Sequence, residues 1–309
     1  MKKIIYLFIL LFISSCSETP VQNKPTKPTT VAKIKHTKPK PKLTFQDGVN
    51  AYNNKDYTTA FNAWIIFAKQ GNADAQLRVG SMIEAGQGVP RNTRKAIYWL
   101  KKSAKQGNPT AQAIIAVLYK DGYDIYKNGK QALYWQEKHA KLGNAIAQYN
   151  VGNMFKKGFI TKKNYPKAFY WFKKSAKQGN HLSQLEIANM YANGKGIDKS
   201  FSKSLYWLTK SAEQSNPLAQ TKLANIFYYG KNNIKRNYKK AFFWSKKAAN
   251  NGYHAAQYIL GKLYHQGQGV KRNLDKAKFW IKRSYSGNDF ITKEKALRYW
   301  NKHLKQDSI

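Results

Sequence analysis

Residues able to carry out covalent or acid-base chemistry are few and scattered in this 309-residue chain. Its six histidines, His36, His139, His181, His254, His265 and His303, show no ligand spacing, and Cys16 is the one cysteine. A structural or catalytic metal ion needs three or four converging donors, so no metal site is expected. The nearest acidic pair, Asp121 and Asp124, sits in a loop, where aspartate serves turn geometry more readily than proton transfer. Ser200-Phe201-Ser202-Lys203 has the SxxK spacing of a serine nucleophile beside a lysine, but no KTG follows and Ser200 falls between helical stretches. The sequence therefore predicts no catalytic residue, no cofactor and no enzyme activity.

Cys16 is explained by its place. Lys2 and Lys3 precede ten consecutive apolar residues, Ile4 to Ile13, the order of an export signal over residues 1–15. Ten residues are half of the roughly 20 that a membrane-spanning helix needs. Ile13-Ser14-Ser15-Cys16 then looks like the lipobox of bacterial lipoproteins. That resemblance implies cleavage before Cys16 and acyl chains on it, hence a membrane-anchored chain. Ser17 is similar to the residue that sends such proteins to the outer membrane, facing the periplasm. With no second cysteine there is no intramolecular disulfide, and stability must come from packing.

Residues 16–43 contain Pro20, Pro25, Pro28, Pro39 and Pro41 among Lys, Thr and Ser. This composition reads as a flexible linker with a reach on the order of 80 Å at about 3.1 Å per residue. Its lysines also make it a basic strip able to lie on anionic head groups.

From residue 44 on, position matters more than chemistry. Trp64, Trp99, Trp135, Trp171, Trp207, Trp244 and Trp280 follow one another at steps of 35, 36, 36, 36, 37 and 36 residues. Ala60, Ala96, Ala132, Ala168, Ser204, Ala241 and Ala277 keep the same step, as do the pairs from Ala75-Gln76 to Ala256-Gln257. A fixed period of this length marks a repeat architecture. Within a unit, Ala75 to Ala85 has helical spacing, Gly86-Gln87-Gly88-Val89-Pro90 breaks it, and Thr93 to Gln106 resumes it before Gly107. Each unit is expected to be a helical hairpin. Gly80, Ala116, Gly152, Ala188, Ala224 and Gly261 occupy one first-helix position, where small residues let two helices approach closely. One tryptophan per unit at a fixed second-helix position is read as packing between repeats, and Trp300 as the seal on the last one.

The pattern Ala75-Gln76, Val79-Gly80, Gly86-x-Gly88-Val89, Lys95-Ala96, Trp99, Lys102-x-Ala104 and Gln106-Gly107 resembles the Sel1-like repeat, a relative of the tetratricopeptide repeat. The resemblance implies an all-α, right-handed α-solenoid of about seven hairpins over residues 44–289, with a closing helix and tail over 290–309. It also implies a protein-protein interaction scaffold. Some proteins of this kind are described as acting on β-lactams, a remote reading here, because Ser200 lies in a loop and the disulfide per repeat of that group is missing.

Comparison among the units separates what the fold dictates from what it leaves free. Met82, Leu118, Met154, Met190, Ile226 and Leu263 stay apolar and are expected in the core. Neighbouring first-helix positions vary instead, and they share a helix face. Tyr149, Asn153, Lys156, Asn189, Asn225, Tyr228, Tyr258, Lys262 and His265 are the candidate partner-binding groove. The bland alternative is a solvated face.

The formal charge is +40, from 55 Lys and Arg against 15 Asp and Glu. Part of it follows the repeat: Lys102, Lys138, Lys174, Lys210, Lys247 and Arg283 fall near second-helix ends, where cations oppose the helix dipole. The shortage of acid leaves most lysines unpaired, so their fields should add. Two partners are consistent with this chain: another envelope or secreted protein held in the groove, or an anionic glycan or lipopolysaccharide held by charge. Nucleic acid is disfavoured by the export signal.

Overall fold

A computed structural model describes residues 43–122, 127–158, 162–230, 234–286 and 289–305. The export signal, Cys16 and nearly all of the proline-lysine linker lie outside the described residues. So do Asp124 and His36.

Fifteen helices and no strand occur among the described residues. Seven hairpins account for fourteen of them: α1 (Phe45–Asn53) with α2 (Tyr57–Lys69), α3 (Ala73–Ala85) with α4 (Thr93–Lys105), α5 (Pro109–Asp121) with α6 (Gly129–Lys141), α7 (Ala145–Lys157) with α8 (Tyr165–Lys177), α9 (His181–Asn193) with α10 (Phe201–Glu213), α11 (Pro217–Tyr229) with α12 (Tyr238–Asn250), and α13 (His254–Gln266) with α14 (Leu274–Tyr285). The closing helix α15 spans Phe290–His303. The chain divides into two compact units, one ending at Trp135 and one starting at Gln136. In the first, each helix from α1 to α4 packs on the next; in the second, the same holds from α7 to α14. This consecutive stacking is a helical solenoid.

Helix boundaries are written locally. Asn72, Asn108, Asn144, Asn180 and Asn216 each accept a hydrogen bond from a first-turn amide of the first helix that follows. Asn92, Asn128, Asn164, Asn237 and Asn273 do so for second helices. Ser200 takes this place for α10, its Oγ accepting from the Lys203 amide. The serine of the SxxK match is thus a helix cap. Gly86, Gly122, Gly158, Gly194, Gly230 and Gly267 end the first helices in the left-handed conformation that favours glycine.

Between hairpins the seam is polar as well as apolar. The repeating glutamine is buried and reaches back to the last turn of the preceding second helix: Gln76 Nε2 donates to the Ala68 carbonyl, Gln148 to Ala140 and Gln220 to Ala212, at 3.0–3.1 Å. Gln178 Nε2 then donates to Gln148 Oε1 at 2.8 Å. Each buried amide satisfies a helix-end carbonyl that has no intrahelical donor. Replacing Gln148 by leucine removes its bond to the Ala140 carbonyl, which keeps the Gly143 amide at 3.1 Å, and the bond that joins it to Gln178. The expected loss is about 1–3 kcal/mol, read as a lower urea midpoint at unchanged slope.

The tryptophans sit in this seam. Trp64, Trp135 and Trp171 are buried, and Trp99, Trp207, Trp244 and Trp280 pack against the apolar clusters of their own units. Trp300 joins Ile281, Ala296 and Leu304 at the C-terminal end. Met82, Leu118, Met190 and Leu263 are buried, whereas Met154 and Ile226 are half-buried.

Candidate interaction face

All nine groove candidates belong to the second unit, on the first helices α7, α9, α11 and α13. The structure gathers them into two clusters.

The first cluster lies on α7 and α9. Lys156 Nζ pairs with Glu186 Oε1 at 2.7 Å, a partner thirty residues away. Around that pair Lys157, Lys163, Tyr165, Asn189, Asn193 and Lys195 line a cleft of about 460 Å³. Four lysines against one glutamate leave its walls cationic, and Tyr165 with Met190 adds apolar surface. Tyr149 and Asn153 sit half-buried on α7, Tyr149 with its ring 5.9 Å from Phe172.

The second cluster joins α11, α13 and α15. The Lys262 ammonium stands 4.7 Å from the Tyr228 ring centroid, 5.5 Å from Tyr258, 5.6 Å from Tyr299 and 5.8 Å from Tyr229. One cation thus holds four phenol rings through their quadrupoles. His265 Nδ1 meets the Tyr299 hydroxyl at 2.7 Å, and the Tyr299 and His303 rings are 4.7 Å apart. Tyr258, Tyr299, His303, Lys295, Arg298 and Lys302 border a smaller cleft of about 250 Å³.

Two candidates are placed differently from a contact role. Tyr228 is 7% exposed, its ring packed on Tyr238 and its hydroxyl donating to Gln266 at 2.9 Å. It forms the wall behind Lys262. Asn225 turns its amide onto its own helix, donating to the Thr221 carbonyl at 3.0 Å. Tyr299, His303, Glu186 and Lys195 were missed from the sequence. Only Tyr299 and His303 left a signal, an i, i+4 aromatic pair on the closing helix.

Burial pushes the Tyr228 and Tyr258 phenols up to about 12, and that of Tyr299 further in the same direction, with neighbouring phenols adding to the effect. These groups are neutral when protonated and ionise near 10 once unfolded. Their contribution is therefore complete below pH 10 and is lost as pH rises through 10 to 12, because unfolding then releases protons. Absorbance at 295 nm should show tyrosines that ionise only together with loss of helical circular dichroism. Tyr258→Phe should shrink that late fraction; unchanged titration would refute the clustering.

A stack of helical hairpins with a polar-aromatic first-helix face defines a class of protein, the helical-repeat scaffolds. The chain belongs to the Sel1 repeat family, whose profile matches residues 73–108, 109–144, 145–180, 181–216, 217–253 and 254–289. Proteins of this family typically serve as protein-protein interaction scaffolds. Among solved structures, a protective antigen of uropathogenic Escherichia coli with this repeat fold is 31% identical over 84% of the chain, with a TM-score of 0.68. The chain spans 56% of that protein's length. A Sel1 repeat protein from Oxalobacter formigenes is 26% identical, with 81% of this chain and 75% of the other covered and a TM-score of 0.65. No curated protein matches the sequence.

Proposed function

We propose that this chain is a binding scaffold of the bacterial envelope, held at a membrane by lipid on Cys16 and engaging another envelope or secreted protein along the first-helix face of its second unit. The observation that carries this reading is the Lys262 cluster, where three half-buried or exposed tyrosines and buried Tyr228 converge on one cation at the surface of α11, α13 and α15. Tyrosine offers large contact area at little conformational cost and is enriched where proteins bind proteins. The cationic cleft at Lys156 adds selectivity for an acidic side chain. The export signal and lipobox support the envelope location.

The test is a pull-down from detergent-solubilised envelopes of the producing cell. Native chain is compared with a variant carrying alanine at Tyr149, Lys156, Tyr258 and Lys262. One saturable protein partner, lost in the variant, is the expected result; equal capture by both would overturn the assignment of the face. Anchoring is tested separately. Cys16→Ala should move the chain from the membrane fraction to the soluble fraction, and retention in the membrane would rule out the lipid.

A further inference from the structure

Most of the charge on the hairpins of the second unit lies away from the candidate groove. Its four second helices, α8, α10, α12 and α14, carry fourteen lysines and arginines against two acids, Glu213 and Asp275. Its four first helices carry four, Lys156, Lys157, Lys222 and Lys262, against Glu186. The second helices also carry an aromatic residue directly before the tryptophan: Tyr170, Tyr206, Phe243 and Phe279, which are 51%, 55%, 49% and 52% exposed. The same position holds Tyr98 in α4 and Tyr134 in α6, both about as exposed, and the buried Ala63 in α2. About half of each of these four residues faces water.

These rings are held in place. Each meets its neighbouring tryptophan edge-on, with centroids 4.8–5.2 Å apart and planes near perpendicular. Lys174, Lys247 and Arg283, one helical turn on, stand 4.8, 4.5 and 5.9 Å over the rings of Tyr170, Phe243 and Phe279. A ring pinned on two sides loses little entropy when something stacks on its open part. Rings fixed edge-on against a neighbouring tryptophan make platforms, whereas insertion into a bilayer would call for projecting wedges.

We infer that the second-helix face of the second unit binds an acidic polysaccharide, with sugar rings stacked on Tyr170, Tyr206, Phe243 and Phe279 and their carboxylates paired with the flanking lysines. Alternating stacking platforms and cations is the general solution for holding a flexible polyanion without reading its sequence. The choice of glycan over single-stranded nucleic acid rests on the export signal read in residues 1–15. The inference is independent of the protein-binding groove, which lies on the other helices.

The full chain in detergent is titrated with polygalacturonate, uncharged dextran and a single-stranded oligonucleotide at about 0.15 M salt. A fourfold variant, Tyr170→Ser, Tyr206→Ser, Phe243→Ser and Phe279→Ser, keeps every charge and should keep its helical circular dichroism. The expected result is polygalacturonate binding that weakens by about tenfold or more in the variant, with an unchanged salt slope, while the protein partner is still captured. A second variant, Lys174→Gln with Lys247→Gln, should weaken binding and flatten the slope. Equal binding by the ring variant would mean that charge alone acts, and tighter binding of the oligonucleotide would mean the wrong polymer; either overturns the proposal.

Discussion

Replacing Gly196 by alanine is expected to cost the protein about 3 kcal/mol or more, whereas the same change at Gly179 should cost only about 1–2 kcal/mol. Both residues have positive φ, +74° and +90°. The left-handed backbone alone accounts for roughly 1–2 kcal/mol with any side chain. Their surroundings differ. A Cβ at Gly179 meets nothing within 4 Å, but one at Gly196 would lie 2.4 Å from the carbonyl carbon of Tyr165. That neighbour is backbone at the start of α8, so no rotamer change relieves the overlap, and the turn after α9 must lift off the preceding hairpin. Gly88 against Tyr57 and Gly269 against Tyr238 repeat the arrangement at 2.3 Å, so Gly269→Ala should behave as Gly196→Ala does. Thermal and urea unfolding of Gly179→Ala and Gly196→Ala would decide the matter. Equal losses would show that the second glycine of each loop is present for its φ only.

The periodic part of this fold is legible in the sequence because each recurring residue type answers a recurring demand. Glycine or alanine at the position of Gly152 announces close helix contact, and asparagine before each helix announces a cap. The recurring Ala-Gln pair is visible as a pattern, but its reason, a bond to a carbonyl eight residues back, needs three dimensions. The candidate face was legible as a face and not as a geometry. Variation from unit to unit picks out Lys156 and Lys262, yet it cannot tell that Tyr228 at the equivalent of Lys156 folds inward onto Tyr238. Nor does any spacing rule link Lys156 to Glu186, since that pair crosses from one hairpin to the next. The exposed rings before each tryptophan keep the same period as the tryptophans. Periodicity gives a core ring and a surface ring the same signal, and only their exposure separates the two roles.

Phe172→Ala should be the most damaging single change in the second unit, at about 3–5 kcal/mol. The side chain is fully buried, and it occupies the space opened by Gly152, where a Cβ would come within 2.6 Å of the ring. The same twenty-residue relation pairs Gly80 with Leu100 and Gly261 with Ile281, each at 2.7 Å by the same measure. Where the small residue is Ala188, the residue twenty positions on is Leu208, and both are buried in one cluster. The bulkiest of these partners, Phe172, is thus set against glycine, and its ring occupies the space that a Cβ would take. Gly152→Ala alone should therefore destabilise through the clash, despite the roughly 1 kcal/mol by which alanine favours a helix interior over glycine. Phe172→Leu alone should destabilise through the void. Together they recreate the Ala188–Leu208 pairing, and the double variant should be more stable than the sum of the two losses predicts, by about 1 kcal/mol or more. Strict additivity in urea unfolding would show that the neighbouring hairpins adjust independently and that volume complementarity does not set the register of the stack.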